Sequence, residues 1–181
     1  MQYSAIYPAS HKVGYHSTEC HVLMKRPVLI VREILNGREE AARSILDTLP
    51  EWFGIPSARE AYINHASHAP MLGAQHEGRV VGYASLADHF GNNCEIHSMG
   101  VDPRWHRKGI GRELITAAAR WAAGHGFVYL SVKTISDKHA DPNYAKTRAF
   151  YRAAGFHPFE ELPTLWGKNL PCLVFVRPTT I

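Results

Sequence analysis

Cysteine is scarce in this chain. Cys20, Cys94 and Cys172 are scattered through 181 positions, and no two of them form a CxxC pair. An odd count without that spacing argues against a disulfide framework and a cysteine-built zinc site, and it suits a reducing cytoplasm. Long apolar runs are also missing. Nowhere do ~18 apolar residues follow one another, and the N-terminus lacks the apolar centre of a secretory signal. Neither a membrane span nor export is expected. Internal repeats, linkers and low-complexity segments are absent, which excludes solenoids and strings of modules. Charge of one sign is in short supply as well: Lys and Arg number 20, Asp and Glu 16, for a net charge of +4. So small an excess fits a basic pocket for a small polyanion better than a nucleic-acid surface. The basic residues are dispersed, and no helix-turn-helix or RNA-binding signature is present.

What is present describes one globular domain. Hydrophobic residues make up 45% and charged residues 20%, enough to bury a sizeable core. Residues 1–26 read differently from the rest: His11, His16 and His21 sit among small polar residues without periodicity. We expect an extension there, outside a fold spanning 27–181, with Met24 as an alternative start. The three histidines read as a solvated tail rather than a metal site.

From residue 27 onward, strand and helix signals alternate. Val28–Leu35 is β-branched and apolar. Asn36 with Glu39 forms a capping box ahead of a helical pattern at Ala42, Ile45, Leu46 and Leu49, and Ser57 with Glu60 forms another. Met71–Gln75 and Arg79–Leu86 read as strands joined at a Glu77-Gly78 hairpin turn. Cys94–Val101 is a further strand, Gly109–Ala123 a helix ended by Gly124 and Gly126, and Phe127–Ile135 a strand. Asp141-Pro142 opens a helix that stops at Gly155. Phe156–Glu161 and Leu170–Arg177 complete the set. The order β-α-α-β-β-β-α-β-α-β-β predicts an α/β (α+β) domain with a mixed, largely antiparallel sheet flanked by helices.

The chemistry-bearing stretch is Val101–Leu114, VDPRWHRKGIGREL. A strand ends, Asp102-Pro103 turns the chain, and a basic, glycine-containing loop enters a helix. Unpaired N–H groups and the positive dipole end of a helix suit phosphate oxygens, and glycine lets the backbone come close. The bland alternative is an ordinary strand-to-helix connection in which Gly109 and Gly111 serve packing. Dinucleotide and Walker A motifs fit worse: the third glycine is missing from the first, and Lys108 precedes the glycine where the second needs it to follow.

These residues resemble the GNAT superfamily of N-acetyltransferases, whose loop reads (Arg/Gln)-x-x-G-x-(Gly/Ala) after a strand and a V-x-P turn. His106 stands at the usual Arg/Gln position, followed by Arg107, Lys108, Gly109, Ile110 and Gly111. A second block, Tyr144–Tyr151 followed by Gly155-Phe156, is similar to the segment of the family that carries FYxxxGF. Tyr144 stands where many members have Asn, with Asn143 one position earlier. The resemblance covers roughly residues 27–178 and implies acetyl-CoA as co-substrate, with no metal. It implies that Arg107, Lys108, Gly109, Ile110, Gly111 and Arg112 cradle the pyrophosphate. It also implies that the Met99–Gly100–Val101 edge pairs with pantetheine and that Asn143 contacts the cofactor.

An amine attacks a thioester as the free base, yet at a pKa of ~10.4 only about one molecule in 2,500 is neutral at pH 7. A proton acceptor is needed, with help for the departing thiolate. The resemblance points to Glu95 as the base, six residues before Val101. Strand alternation predicts that Glu95, His97 and Met99 share a face. His97 is then placed to relay a proton or orient substrate. Tyr151 is the implied acid, and the Met99 or Gly100 amide is placed to polarise the carbonyl. Cys94 turns away from Glu95, so direct transfer in a ternary complex is expected over an acetyl-cysteine. His65 and His68 read as a polar helix face.

For the acceptor, Trp52, Phe53, Tyr62, Glu160, Glu161 and Trp166 combine aromatics with carboxylates. That combination suits a cationic small molecule: a polyamine, an aminoglycoside-like compound or an amino-acid derivative. Protein lysines or N-termini are the alternative acceptors. The non-enzyme alternatives are a basic nucleic-acid-binding domain using Arg104, Arg107, Lys108 and Arg112, and an acetyl-CoA sensor. A homodimer is left open.

Overall fold

The computed structural model of the chain describes residues 29–180. The expected extension over 1–26 and the Met24 start lie outside the described residues. The elements run in the predicted order: β1 (Ile30–Glu33), α1 (Arg38–Leu46), α2 (Pro56–His68), β2 (Met71–His76), β3 (Arg79–His89) and β4 (Asn93–Val101). Then come α3 (Ile110–Gly124), β5 (Tyr129–Ile135), α4 (Pro142–Ala153), β6 (His157–Leu162) and β7 (Cys172–Pro178). Among the described residues these strands form one 7-stranded sheet, in the order β1-β2-β3-β4-β5-β7-β6. β4 and β5 pair in parallel, and the other neighbours pair antiparallel. Among the described residues no helix is long and apolar enough to cross a membrane.

Each face of the sheet carries its own core. On one face α1 and α2 bury Ala42, Ile45, Leu46, Ile63 and Ala66 against Met71 and Tyr83. On the other, α3 buries Ile110, Leu114, Ile115, Ala118 and Ala122 against Leu86, Ile96, Leu130 and Phe175, joined by Tyr151 from α4. Local chemistry explains several boundaries. Glu77 and Gly78 both have positive φ, 49° and 78°, the conformation of a two-residue hairpin turn. Asp141 accepts from the Asn143 and Tyr144 amides at 2.7 and 3.3 Å, capping α4 as predicted.

The two predicted capping boxes do not form. α1 starts at Gly37 in the left-handed region (φ 69°), and α2 starts at Ile55 ahead of Pro56, both without a side-chain cap among the described residues. The glutamates are drawn elsewhere. Arg43 holds Glu39 at 3.1 Å and Glu60 at 2.8 Å, which ties α1 to α2.

Two irregularities in β4 shape the space beside it. Its pairing with β5 runs only from Asn93–Ile96 opposite Tyr129–Val132, after which β5 continues with β7 as far as Ile135 opposite Cys172. The two strands therefore part, and the β4 edge beyond Ile96 is left free of β5. The second irregularity is a bulge: Leu86 faces Ile96 and Ser85 faces Ser98, so His97 is the extra residue. A bulge resets the side-chain alternation. Ser98 reaches Tyr83 on the α1–α2 side, and a β-carbon on Gly100 would lie 2.8 Å from Ile45. Met99 and Val101 pack instead against the α3 core. The predicted common face for Glu95, His97 and Met99 is thus corrected: the first two share a face, and the bulge sends Met99 to the other.

Candidate active site

Where β4 and β5 part, a cleft of about 890 Å³ opens, bounded by the α1–α2 connection, the loop into α3, and α4. At one end the chain leaves β4 through Asp102, which accepts from the Arg104 amide and guanidinium at 3.0 Å and caps the next turn. Arg104 beside it holds this carboxyl below the usual carboxylate range. His106 Nε2 bonds the Val101 carbonyl at 2.7 Å. The residue at the unusual loop position therefore ties the loop back to the strand.

Arg107 and Gly109 have φ of 61° and 84°, and Gly109 begins α3 with no side-chain cap among the described residues. Open space lies where a β-carbon on Gly109 would be, whereas one on Gly111 would meet the Phe150 ring at 2.9 Å. Gly109 thus serves the loop conformation, and Gly111 serves the packing of α3 against α4. The first-turn N–H groups of α3 lack intrahelical partners, and residues 109–112 line the cleft. Arg107 and Arg112 line it too. Lys108 stands over the Trp105 ring, 4.4 Å from its centroid, and is not part of the lining. Lys146 on α4 is, a cation that sequence reasoning missed although it lies within the second motif block.

Met99, Gly100 and Val101 form the adjoining wall on the free β4 edge. Asn143 does not line the cleft, and Tyr144 does. The Tyr144 hydroxyl donates to the Trp52 carbonyl at 3.1 Å, and the Trp52 indole donates to Thr147 Oγ1 at 3.1 Å. These bonds tie the α1–α2 connection to α4 at the cleft. Burial pushes the Tyr144 phenol up to about 12.

The floor is ionic. Glu95 is only 3% exposed, and its Oε2 lies 2.5 Å from both Lys133 Nζ and His89 Nε2. Its other oxygen is 3.9 Å from His97 Nδ1. Glu95 itself stays beneath the surface, while His97 and Lys133 line the cleft above it. The His97 ring packs on His65 (3.8 Å between centroids) and near Tyr62 (5.5 Å). Burial holds both imidazoles below the usual histidine range, and for His65 the neighbouring His97 adds to the effect. His65 therefore turns inward from the predicted polar face. His68 is exposed, its ring within reach of Ser67 and the Asn64 carbonyl on its own helix. Lys133 was also missed. A lone lysine inside the β-forming run Phe127–Ile135 is the signal that marks it.

Tyr151 is 7% exposed, lines the cleft, and packs its ring against Phe156 and Phe175. Burial raises its phenol well above the ordinary value. Neither Cys94 nor Cys172 lines the cleft, and burial pushes their thiols up to about 12 and 11. Glu160 and Glu161, expected beside the acceptor, do not line it either. Glu161 is engaged by Lys138 at 2.5 Å and Ser136 at 2.7 Å.

Comparison with known proteins bears on the family and the fold. The profile of the acetyltransferase (GNAT) family matches residues 36–156. The chain is 37% identical over 93 residues to the N-alpha-acetyltransferase RimI of Mycobacterium tuberculosis, an alignment covering 49% of this chain and 52% of that protein. The chain thus spans about half the length of that relative. In fold it is similar to the ribosomal-protein-S18-alanine N-acetyltransferase of Escherichia coli, with a TM-score of 0.66 at 16% identity over 85% of this chain and 96% of that one. An aminoglycoside 6'-N-acetyltransferase complexed with coenzyme A gives 0.65 at 18% identity, over 84% and 98%. With the profile spanning most of the chain, including both motif blocks, the chain belongs to the acetyltransferase (GNAT) family.

Proposed function

We propose that the chain is an acetyl-CoA-dependent N-acetyltransferase. It moves acetyl to a primary amine of a small molecule by direct attack, in a complex that holds both substrates, and it works in the cytoplasm. One observation carries the reading: the free β4 edge, the uncapped start of α3 and the His97–Glu95 group all meet at the same cleft. The residues present fit the co-substrate. The unpaired β4 stretch offers main-chain donors and acceptors to an extended, amide-bearing chain. The α3 N-terminus with Arg107, Arg112 and Lys146 offers N–H groups and positive charge to phosphates.

When bound, acetyl-CoA supplies an acetyl group on a thioester. His97 accepts the proton of the incoming amine. Burial keeps this imidazole neutral near pH 7, the form that can take a proton. Glu95 behind it, 3.9 Å from His97 Nδ1, compensates the charge that His97 gains. Lys133 and His89 hold that carboxylate in place. The Met99 or Gly100 amide donates to the carbonyl oxygen as charge develops there. The Tyr151 hydroxyl, protonated at every working pH because burial raises it, donates to the departing sulfur. The Tyr144 hydroxyl is already committed to Trp52.

A second reading, favoured by the likeness to an N-alpha-acetyltransferase, makes the acceptor the α-amine of a polypeptide N-terminus. The bonds joining Trp52 to Tyr144 and Thr147 hold the α1–α2 connection against α4 beside the cleft, and on that ground the small molecule is preferred. The first test is thermal unfolding with acetyl-CoA. A ligand at 100 times its Kd adds about 2.7 kcal/mol, a shift of roughly 5–10 °C for a domain of this size. An amine-dependent release of free thiol completes the assignment. No shift at millimolar acetyl-CoA overturns it.

A further inference from the structure

Resting on the N-acetyltransferase reading, we infer that the acceptor is a monoamine with an apolar, ring-bearing body, and that polyamines and aminoglycosides are not its substrates. The cleft lining includes Trp52, Phe53, Ile55, Tyr62, Trp166 and Leu170, and the Phe53–Tyr62 pair leads to His97, so we assign the acceptor to this apolar part. Aromatic walls of this kind hold either a ring or a cation, because their faces are both apolar and electron-rich. The charge around them decides between the two.

Among the described residues, no Asp or Glu lines the cleft, while Arg107, Arg112, Lys133 and Lys146 all do. The carboxylate beneath the floor is Glu95, already held by Lys133 and His89. Glu161 is taken by Lys138 and Ser136 and does not line the cleft. Arg107, Arg112 and Lys146 face the phosphates of the bound co-substrate and Lys133 is paired with Glu95, so a second ammonium on the acceptor finds no free counter-charge on the walls. Burying an ammonium without a counter-charge is costly, and that cost discriminates against a polyamine. The same lack of counter-charge favours the single reacting amine as its free base, since burial disfavours the charged form. The transfer needs that form. A ring beside the amine gains from burial against Trp52, Phe53 and Trp166 at no electrostatic cost.

The chemistry is shared by small arylalkylamines and by polypeptide N-termini that begin with an apolar residue. The test separates them by comparing kcat/KM for 2-phenylethylamine, a phenylalanyl tripeptide and spermidine at low ionic strength, using release of the coenzyme A thiol. Acetyl-CoA binding is measured in parallel by thermal shift. We expect 2-phenylethylamine or the tripeptide to exceed spermidine by about 100-fold. Whichever of the two is faster identifies the source. Ala58 is exposed and lines the cleft on the first turn of α2, where glutamate suits the helix. Ala58→Glu should move the ratio about tenfold toward spermidine. Spermidine turned over as well as or better than the monoamines overturns the inference. So does a clear acetyl-CoA shift with no turnover of either monoamine, which leaves the enzyme reading standing. A missing acetyl-CoA shift overturns that reading and the inference with it.

Discussion

Replacing Lys133 with methionine tests the ionic floor of the cleft. Glu95 is 3% exposed, and its Oε2 is shared by Lys133 and His89 at 2.5 Å each. Methionine keeps the apolar stem but leaves the carboxylate with His89 alone. Removing one partner of a buried pair costs about 3–5 kcal/mol, because the remaining charge stays desolvated. Lys133 is 27% exposed and His89 stays, so the low end applies, about 3 kcal/mol. Glu95→Gln is milder, at about 1 kcal/mol, since the freed ammonium turns toward solvent in the cleft. The double variant leaves no buried charge and should cost about 2 kcal/mol, giving a coupling of about 2 kcal/mol. The assay is thermal unfolding of the four proteins. At about 2–4 °C per kcal/mol for a chain of this size, Lys133→Met lowers Tm by about 6–12 °C and Glu95→Gln by about 2–4 °C. Additive effects, or a Lys133→Met loss no larger than that of Glu95→Gln, would refute the account of a floor held by charge pairing.

The same geometry has other consequences. Tyr151→Phe should lower kcat by about 100-fold while acetyl-CoA still raises Tm as in the parent; unchanged turnover removes Tyr151 from the chemistry. His65 and His97 both titrate below the usual histidine range, so near pH 6 the folded chain binds fewer protons than the unfolded one. Stability is then full above about pH 6.5 and declines as pH falls below it. A Tm series from pH 7.5 to 5.5 should show the decline, and His65→Phe should flatten it. Gly111→Val drives a side chain into Phe150 and should destabilise by about 1–3 kcal/mol, read in the same melts. Gly109→Ala meets open space but must adopt φ 84°, and should cost about 1 kcal/mol, read as a small fall in Tm.

The elements were legible because each carries a local signal: apolar spacing that switches between two and 3.6 residues, and turn residues at the joints. Asp141-Pro142 and Glu77-Gly78 acted as expected because their effects stay within a few residues of themselves. The capping boxes at Asn36 and Ser57 failed for the opposite reason. Each requires its glutamate to reach back along its own helix, and Arg43 offers Glu39 and Glu60 a charged partner instead, one of them from another helix. Sheet order is non-local in the same sense. Nothing in the spacing shows that β7 inserts between β5 and β6, yet that insertion lets β5 keep pairing after it has left β4.

The site divides along the same line. The loop was readable, since a basic, glycine-bearing entry to a helix is a contiguous feature, and Gly109 at φ 84° is the residue it depends on. Trp52, Lys133 and Tyr144 join it only through the fold. The relation among Glu95, His97 and Met99 was misread because alternation holds only for an unbroken strand, and a bulge has no dependable sequence mark. His97 is the inserted residue. Had the strand run without it, Met99 would follow Glu95 onto the α1–α2 face and Gly100 would point at the α3 core. With the bulge, Gly100 lies under Ile45 and Leu49, where a β-carbon would come within 2.9 Å of both, and that close approach lets α1 settle on the sheet. The bulge at His97 is thus what makes glycine necessary three residues later, so the turn of Met99 to the α3 core and the packing of α1 arise from a single irregularity in β4.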